Sequence, residues 1–328
     1  MKKLYASLLL GLSTLLVVSG AFAQTIRRVN NNGITGTNIY STIQAAHDAA
    51  AANDIIQVEP STTTYGSLTC TKKLTIVGPG YFLDLNTGLQ ASSIPATVAS
   101  IDFQSGSAGS SVSGITTPNI YLRANNISVT RNKVDYLYVA YFGESSQCVI
   151  RQNYIYYLYA YGYTSNDLLV TNNLITYYVY LSNGVTKGEF NNNTVMASGG
   201  ASFDGFTVKN NYFGYSFTPT SNTSWSYNKL AQASLPTSGT QSNNTANVAY
   251  NTILTWGSGT QYDAWYKLKA GGPGIGAGEG GVDIGAFDSP TGYDYKLSGI
   301  PAVPSIYEYN QSVNGNTLNV TLSTRSNN

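Results

Sequence analysis

The chain has 328 residues, a formal net charge of +1 and 10% charged residues, where an ordinary soluble domain carries roughly 25%. That balance excludes the basic footprint of a nucleic-acid binder. Its 27 tyrosines and 33 glycines suit short strands and tight turns rather than long solvated helices.

Residues 1–23, MKKLYASLLLGLSTLLVVSGAFA, join two lysines, an apolar run and the small-x-small ending Ala21-Phe22-Ala23. They read as a cleavable secretory signal, so the mature chain is expected to start near Gln24 and to be secreted, extracellular or on the cell surface. No later stretch is long and apolar enough to suggest a membrane span. Segment 41–82 follows, STIQAAHDAAAANDIIQVEPSTTTYGSLTCTKKLTIVGPGYF. It predicts a helix over Thr42 to Ala52, capped by Ser41 or Thr42, with Ile43, Ala46 and Ala50 on one apolar face. The strands IIQV and LTIVG come next.

A repeat then takes over. The segments ISVTRNKV (127–134), CVIRQNYI, LLVTNNLI, GEFNNNTV, FTVKNNYF, TSWSYNKL and ANVAYNTI (246–253) align on Asn132, Asn153, Asn173, Asn193, Asn211, Asn228 and Asn251. An apolar residue stands three positions before each Asn and another two positions after it. A unit of about 20 residues with strand alternation cannot bury its own apolar face, but it can when stacked on copies of itself. Alternation turns the apolar positions inward. The Asn is expected to sit in a left-handed turn, with its amide bonded to the rungs above and below in a ladder at about 4.8 Å spacing. The reading is an all-β, right-handed parallel β-helix over 24–290. The helix of segment 41–82 caps its N-terminal end.

The tail, 291–328, carries two alternating runs, SIYEY and TLNVTL, around an Asn-Gly turn signal. It predicts a β-hairpin cap that pairs with or covers the last rung; a secretion or attachment signal is the alternative. Cys70 and Cys148 lie several rungs apart in this arrangement, beyond disulfide reach, and are expected as free buried thiols.

The entry segment 41–82 and the Gly-rich run 271–287, GGPGIGAGEGGVDIGAF, resemble the opening and closing segments of secreted β-helix proteins of the pectin-lyase-like superfamily. The resemblance implies a fold and no single function, since that superfamily holds lyases, hydrolases, epimerases and non-catalytic adhesins. None of its catalytic motifs matches, so no catalytic residue is assigned. His47 is the only histidine, which rules out a His-based triad and a His-rich metal site. A calcium-dependent lyase wants acids clustered on adjacent rungs, whereas Asp135, Glu144, Asp167, Glu189 and Asp204 fall in different columns. No metal and no cofactor are expected. Asp167 and Lys187 share a column on neighbouring rungs, where a surface salt bridge accounts for the pair at least as well as chemistry does. Arg131 and Arg151 stand about one rung apart and either face a uronate or lie on a solvated edge.

Three consecutive rungs are dense in tyrosine: VDYLYVAYF (134–142), YIYYLYAYGY (154–163) and ITYYVYLSN (175–183). With Leu137, Leu158 and Val179 inward, Tyr136, Tyr138, Tyr157, Tyr159, Tyr178 and Tyr180 form an outward panel, two wide and three rungs tall, with no charge among them. Rings so placed stabilise each other, or they present a surface to a ligand. The functional expectation is a non-catalytic protein that binds a polysaccharide, a cell-surface glycan or another surface. The alternatives are a polysaccharide lyase or related carbohydrate-active enzyme, and a purely structural surface-layer solenoid.

Overall fold

Strand alternation sorts side chains into those that meet across a narrow interior and those that do not, and the register follows that sorting. The computed structural model describes residues 24–183, 186–258, 262–287 and 292–327; the expected signal, 1–23, lies outside them. The chain is an all-β parallel solenoid of about 9 turns. One wall is a 12-stranded parallel sheet, in which the column Ile56, Ile76, Val112, Val129, Ile150, Val170, Phe190, Val208, Trp225 runs up the stack in register. All nine side chains are buried. Each contributes about 1.5–3 kcal/mol of transfer free energy relative to exposure. The facing wall stacks Ser67–Cys70, Ser100–Phe103, Thr116–Leu122, Lys133–Val139, Tyr154–Ala160 and Leu174–Leu181. It then divides, because Leu174–Leu181 pairs with both Thr194–Val195 and Ala201–Phe203.

The Asn column is a continuous hydrogen-bond chain. Asn132, Asn153, Asn173, Asn193, Asn211 and Asn228 each donate from Nδ2 to the Oδ1 of the Asn one rung on, at 2.9–3.1 Å. The backbone N–H of each reaches the same oxygen. The second Nδ2 proton serves the carbonyl of the inward residue one rung back, Val112 for Asn132 and Ile150 for Asn173. Each amide therefore closes a turn that would otherwise leave buried polar groups unpaired.

Two expectations need correction here. The left-handed residue is the one before each ladder Asn: Arg131, Gln152, Asn172, Asn192, Asn210, Tyr227 and Asn243 have φ between 53° and 59°. The ladder Asn gives up conformational freedom to fixed amide bonds, and its neighbour makes the turn. The last aligned unit is also misplaced. Asn228 bonds Asn244, not Asn251, and Trp225 pairs with Gln241. Asn251 lies on a one-turn helix, Tyr250–Ile253. A gap of 16 residues at that step, against 21 at the first, had shifted the frame.

At the N-terminal end the helix Ile43–Ala49 is capped by Thr42, whose side chain accepts from the Ala45 N–H. It is shorter than expected because Ala50 is already extended, with Ile43, Ala46 and Ala50 buried over the core. His47 is buried on the same helix, and its Nε2 accepts from the Thr71 N–H at 3.1 Å. Cys70 and Cys148 are free and buried, and burial pushes both thiols up to about 11.

After the last rung the chain turns back and runs down the stack along the left-handed column. Asn210 accepts from the Glu279 N–H, Asn172 donates to the Ala286 carbonyl, Gln152 to that of Asp294, and Arg131 to that of Ile300. This strap is pinned from inside by Asp263, which is fully buried and accepts from Asn86, Tyr295 and the Ser298 N–H. The tail forms a hairpin, Ser305–Asn314 with Thr317–Arg325, but it is a sheet of its own and does not pair with the last rung, Thr240–Ser242. It docks beside an early loop instead, where Ile306 accepts from the Ala91 N–H and Arg325 donates to Leu89. Cross-strand partners share a face, so Tyr309/Leu322, Gln311/Val320 and Val313/Leu318 make one mostly apolar face, and Asn310/Thr321, Ser312/Asn319 and Asn314/Thr317 a polar one. Both faces are exposed.

Candidate functional site: the tyrosine face and the cleft beside it

The inward column Ile120, Leu137, Leu158, Val179, Ala201 is in register, so the residues flanking it must point out. Tyr136, Tyr157 and Tyr178 pair along one outer row, and Tyr138, Tyr159 and Tyr180 along the next. Their stacking is uneven. Tyr136–Tyr157 and Tyr159–Tyr180 lie nearly parallel with centroids 4.6 and 4.8 Å apart, whereas Tyr138–Tyr159 and Tyr157–Tyr178 are edge-on at 6.3 and 6.1 Å.

The panel is wider than the six tyrosines read from the sequence. Tyr121 stacks on Tyr138 at 5.2 Å with an interplanar angle of 3°, Tyr141 and Tyr161 extend the outer edge, and Tyr156 and Tyr177 stack on each other at 4.8 Å. A bulge lies beside this pair: the ladder advances 20 residues between Asn153 and Asn173, but Tyr157 pairs with Tyr178, so the strand Leu174–Leu181 takes up one extra residue between Ile175 and Tyr178. The mismatch between those two spacings was present in the sequence. A charge borders the widened panel, outside the six tyrosines read from the sequence. Arg123 pairs with Asp102 at 3.0 Å and lays its guanidinium over the rings of Tyr121 and Tyr141, 5.9 and 5.0 Å from the centroids.

Beside the panel lies a cleft of about 460 Å³ that sequence reading missed. Its floor is the outer face of the rungs just after the ladder, with Lys133, Asp135, Tyr154, Tyr156 and Thr176. Its far wall is Tyr250, Trp256, Tyr262 and Tyr266 from the strap, and Phe82 closes one end. Tyr154 is buried against Phe82, Tyr262 and Tyr266 by edge contacts, and burial pushes its phenol far up. Tyr156 remains 41% exposed and touches both Tyr157 and Tyr177. The cleft and the panel are thus one aromatic surface joined at Tyr156. Among the described residues Lys133 and Asp135, 3.5 Å apart, are its only charged lining.

The other singled-out residues do not converge. Asp204 is bonded to Thr220 and Asn222 and Glu189 to Asn191, and Asp167 and Lys187 make no ion pair with each other. Among the described residues no three of His, Cys, Asp and Glu are grouped to hold a metal, and no helix is long and apolar enough to cross a membrane. Arg131 and Arg151 share a second cleft, of about 400 Å³, on the opposite side of the ladder.

No protein-family model matches the chain, and no curated protein matches it.

Proposed function

We propose that this chain is a secreted, right-handed β-helix protein of the pectin-lyase-like type that binds a glycan or a glycan-bearing surface without acting on it. The supporting observation is the continuous aromatic surface: a cleft of about 460 Å³ whose wall and floor are mostly tyrosine and tryptophan, opening through Tyr156 onto the outward panel. Aromatic faces match the apolar faces of pyranose rings, and phenol, amide and hydroxyl groups satisfy sugar hydroxyls. The size suits one or two sugar residues. A lyase or hydrolase reading finds a single carboxylate lining the cleft among the described residues, Asp135, where acid–base cleavage of a glycoside uses a pair.

Binding of oligosaccharides to the chain from Gln24 onward, surveyed on a glycan array and quantified by calorimetry, tests the reading. Tyr156→Ala with Trp256→Ala should weaken binding at least about tenfold, the equivalent of one to two lost stacking contacts. Affinity should change by less than about threefold between low and high salt, because screening acts on charges and not on stacking. Saccharide binding that survives the double substitution, or turnover of a bound polysaccharide, overturns it.

A further inference from the structure

The cleft on the other side of the ladder has a different chemistry. Arg131, Arg151 and Lys296 line it together with Thr130, Gln152 and Tyr293, and no carboxylate does so among the described residues. Arg131 is 8% exposed, and its hydrogen bonds go only to neutral acceptors: Gln152 Oε1 and the carbonyls of Ile300 and Asn327. Burial and the neighbouring charge of Arg151 both lower its pKa. Arg151 lays its guanidinium on the Tyr293 ring at 3.9 Å, and its Nε is buried without a hydrogen-bond partner. Among the described residues neither arginine is in an ion pair, and the Lys296 ammonium makes no ion pair; the hydrogen bond of Lys296 is through its carbonyl, which accepts from the Gly299 N–H.

Guanidinium and ammonium groups gathered in one half-enclosed site repel each other, and a cation left unpaired on burial is strongly destabilising. The strap explains Arg131, which holds the Ile300 carbonyl. It does not explain why Arg151 and Lys296 converge on the same space with their donors unused. A planar guanidinium with free N–H groups beside an ammonium is the arrangement that grips oxygen anions. We infer that this cleft is an oxyanion site, taking a carboxylate, sulfate or phosphate group between Arg151 and Lys296 with Arg131 behind them. The volume admits a group carried on a sugar-sized ligand as well as a free ion. The inference is independent of the aromatic surface and does not require it to bind anything.

Calorimetric and thermal-shift titrations with sodium sulfate and with a galacturonate oligosaccharide, against sodium chloride at matched ionic strength, test this site. Saturable binding of either probe, weakened at least tenfold by Arg151→Gln and by Lys296→Gln, is the expected result. Sulfate binding alone assigns the site to free oxyanions, and much tighter oligosaccharide binding assigns it to acidic glycans. Lys296→Gln leaves the arginine–tyrosine contact in place, so it reads the site even if Arg151→Gln disturbs the strap. An adventitious effect common to sulfate and chloride, or unchanged binding in Lys296→Gln, overturns the inference.

Discussion

The molecule carries two columns of like side chains up the same stack, one inside and one outside, and they differ in how tightly they are held. The ladder amides repeat with donor–acceptor distances confined to 2.9–3.1 Å over six consecutive links. The panel rings vary from parallel to nearly perpendicular and from 4.6 to 6.3 Å. An amide in a dry turn has one way to satisfy all its bonds, and a missed bond there is costly. A phenol at the surface has water as an alternative partner, and ring pairs tolerate several geometries of similar energy. The ladder specifies the fold; the panel has freedom left over to adapt to something else.

Alkaline pH should separate the two kinds of column most forcefully, since amides do not titrate and phenols do. Burial raises the phenol pKa of Tyr81, Tyr154, Tyr212, Tyr266 and Tyr295 around the strap, and burial with the neighbouring Tyr177 holds Tyr157 of the panel at about 12. A raised folded-state pKa contributes stability in full below the ordinary phenol value of about 10 and loses it above, at about 1.4 kcal/mol per buried group per pH unit. Five buried phenols together match the entire stability of a typical domain within about one to two pH units. Cooperative unfolding above about pH 10, coincident with a late step in tyrosine absorbance at 295 nm, is the outcome expected. Full phenol ionisation with the solenoid intact by circular dichroism would show that these tyrosines are not buried.

Next in size is the ladder itself. Asn173→Ala removes bonds to Ile150, Thr171 and Asn193 and strands the two donors of Asn153. A loss of about 3 kcal/mol is expected, read as a lower urea midpoint at unchanged slope. An unchanged midpoint would mean the ladder is decoration. Asn244→Ala sharpens the point, because this half-exposed terminal link can exchange lost bonds for water. About 1 kcal/mol should be lost there, and a loss equal to that of Asn173→Ala would contradict the role of burial.

The panel should yield less stability and more function. Tyr157→Ala with Tyr159→Ala removes the parallel contacts to Tyr136 and Tyr180 but leaves the inward Leu158 and Ala160. A cost of about 1–2 kcal/mol is expected from ring pairs worth about 0.5–1.5 kcal/mol each, together with weakened saccharide binding. If stability falls as far as in Asn173→Ala while binding persists, the panel is structural. The smallest effect belongs to the hairpin: Val313 is 75% exposed, so Val313→Thr should move stability by less than about 0.5 kcal/mol. A larger shift would mean that the apolar face of the hairpin is covered in solution.

Stacked rungs, the inside–outside choice at each strand position, the ladder from Asn132 to Asn228 and the outward tyrosines were legible because they are periodic: one local rule, repeated, leaves an error visible as a break in phase. Where the phase drifted at the ladder's end, at Asn244, the reading drifted with it, whereas across the bulge after Ile175 the apolar column kept the tyrosine rows in register. The strap had no such legibility. Its course is set by non-repeating contacts, Asn210 with Glu279, Gln152 with Asp294, Arg131 with Ile300, each joining positions far apart in sequence. Both clefts exist only because the strap lies across the rungs. Tyr262 and Trp256 meet Tyr154 and Tyr156, and Lys296 meets Arg151, through a return of the chain that no local pattern encodes. Sequence alone thus determined the columns, since alternation and amide satisfaction act within a rung and its neighbours. Tertiary structure alone decided the cavities, since they depend on where a single irregular segment comes to rest.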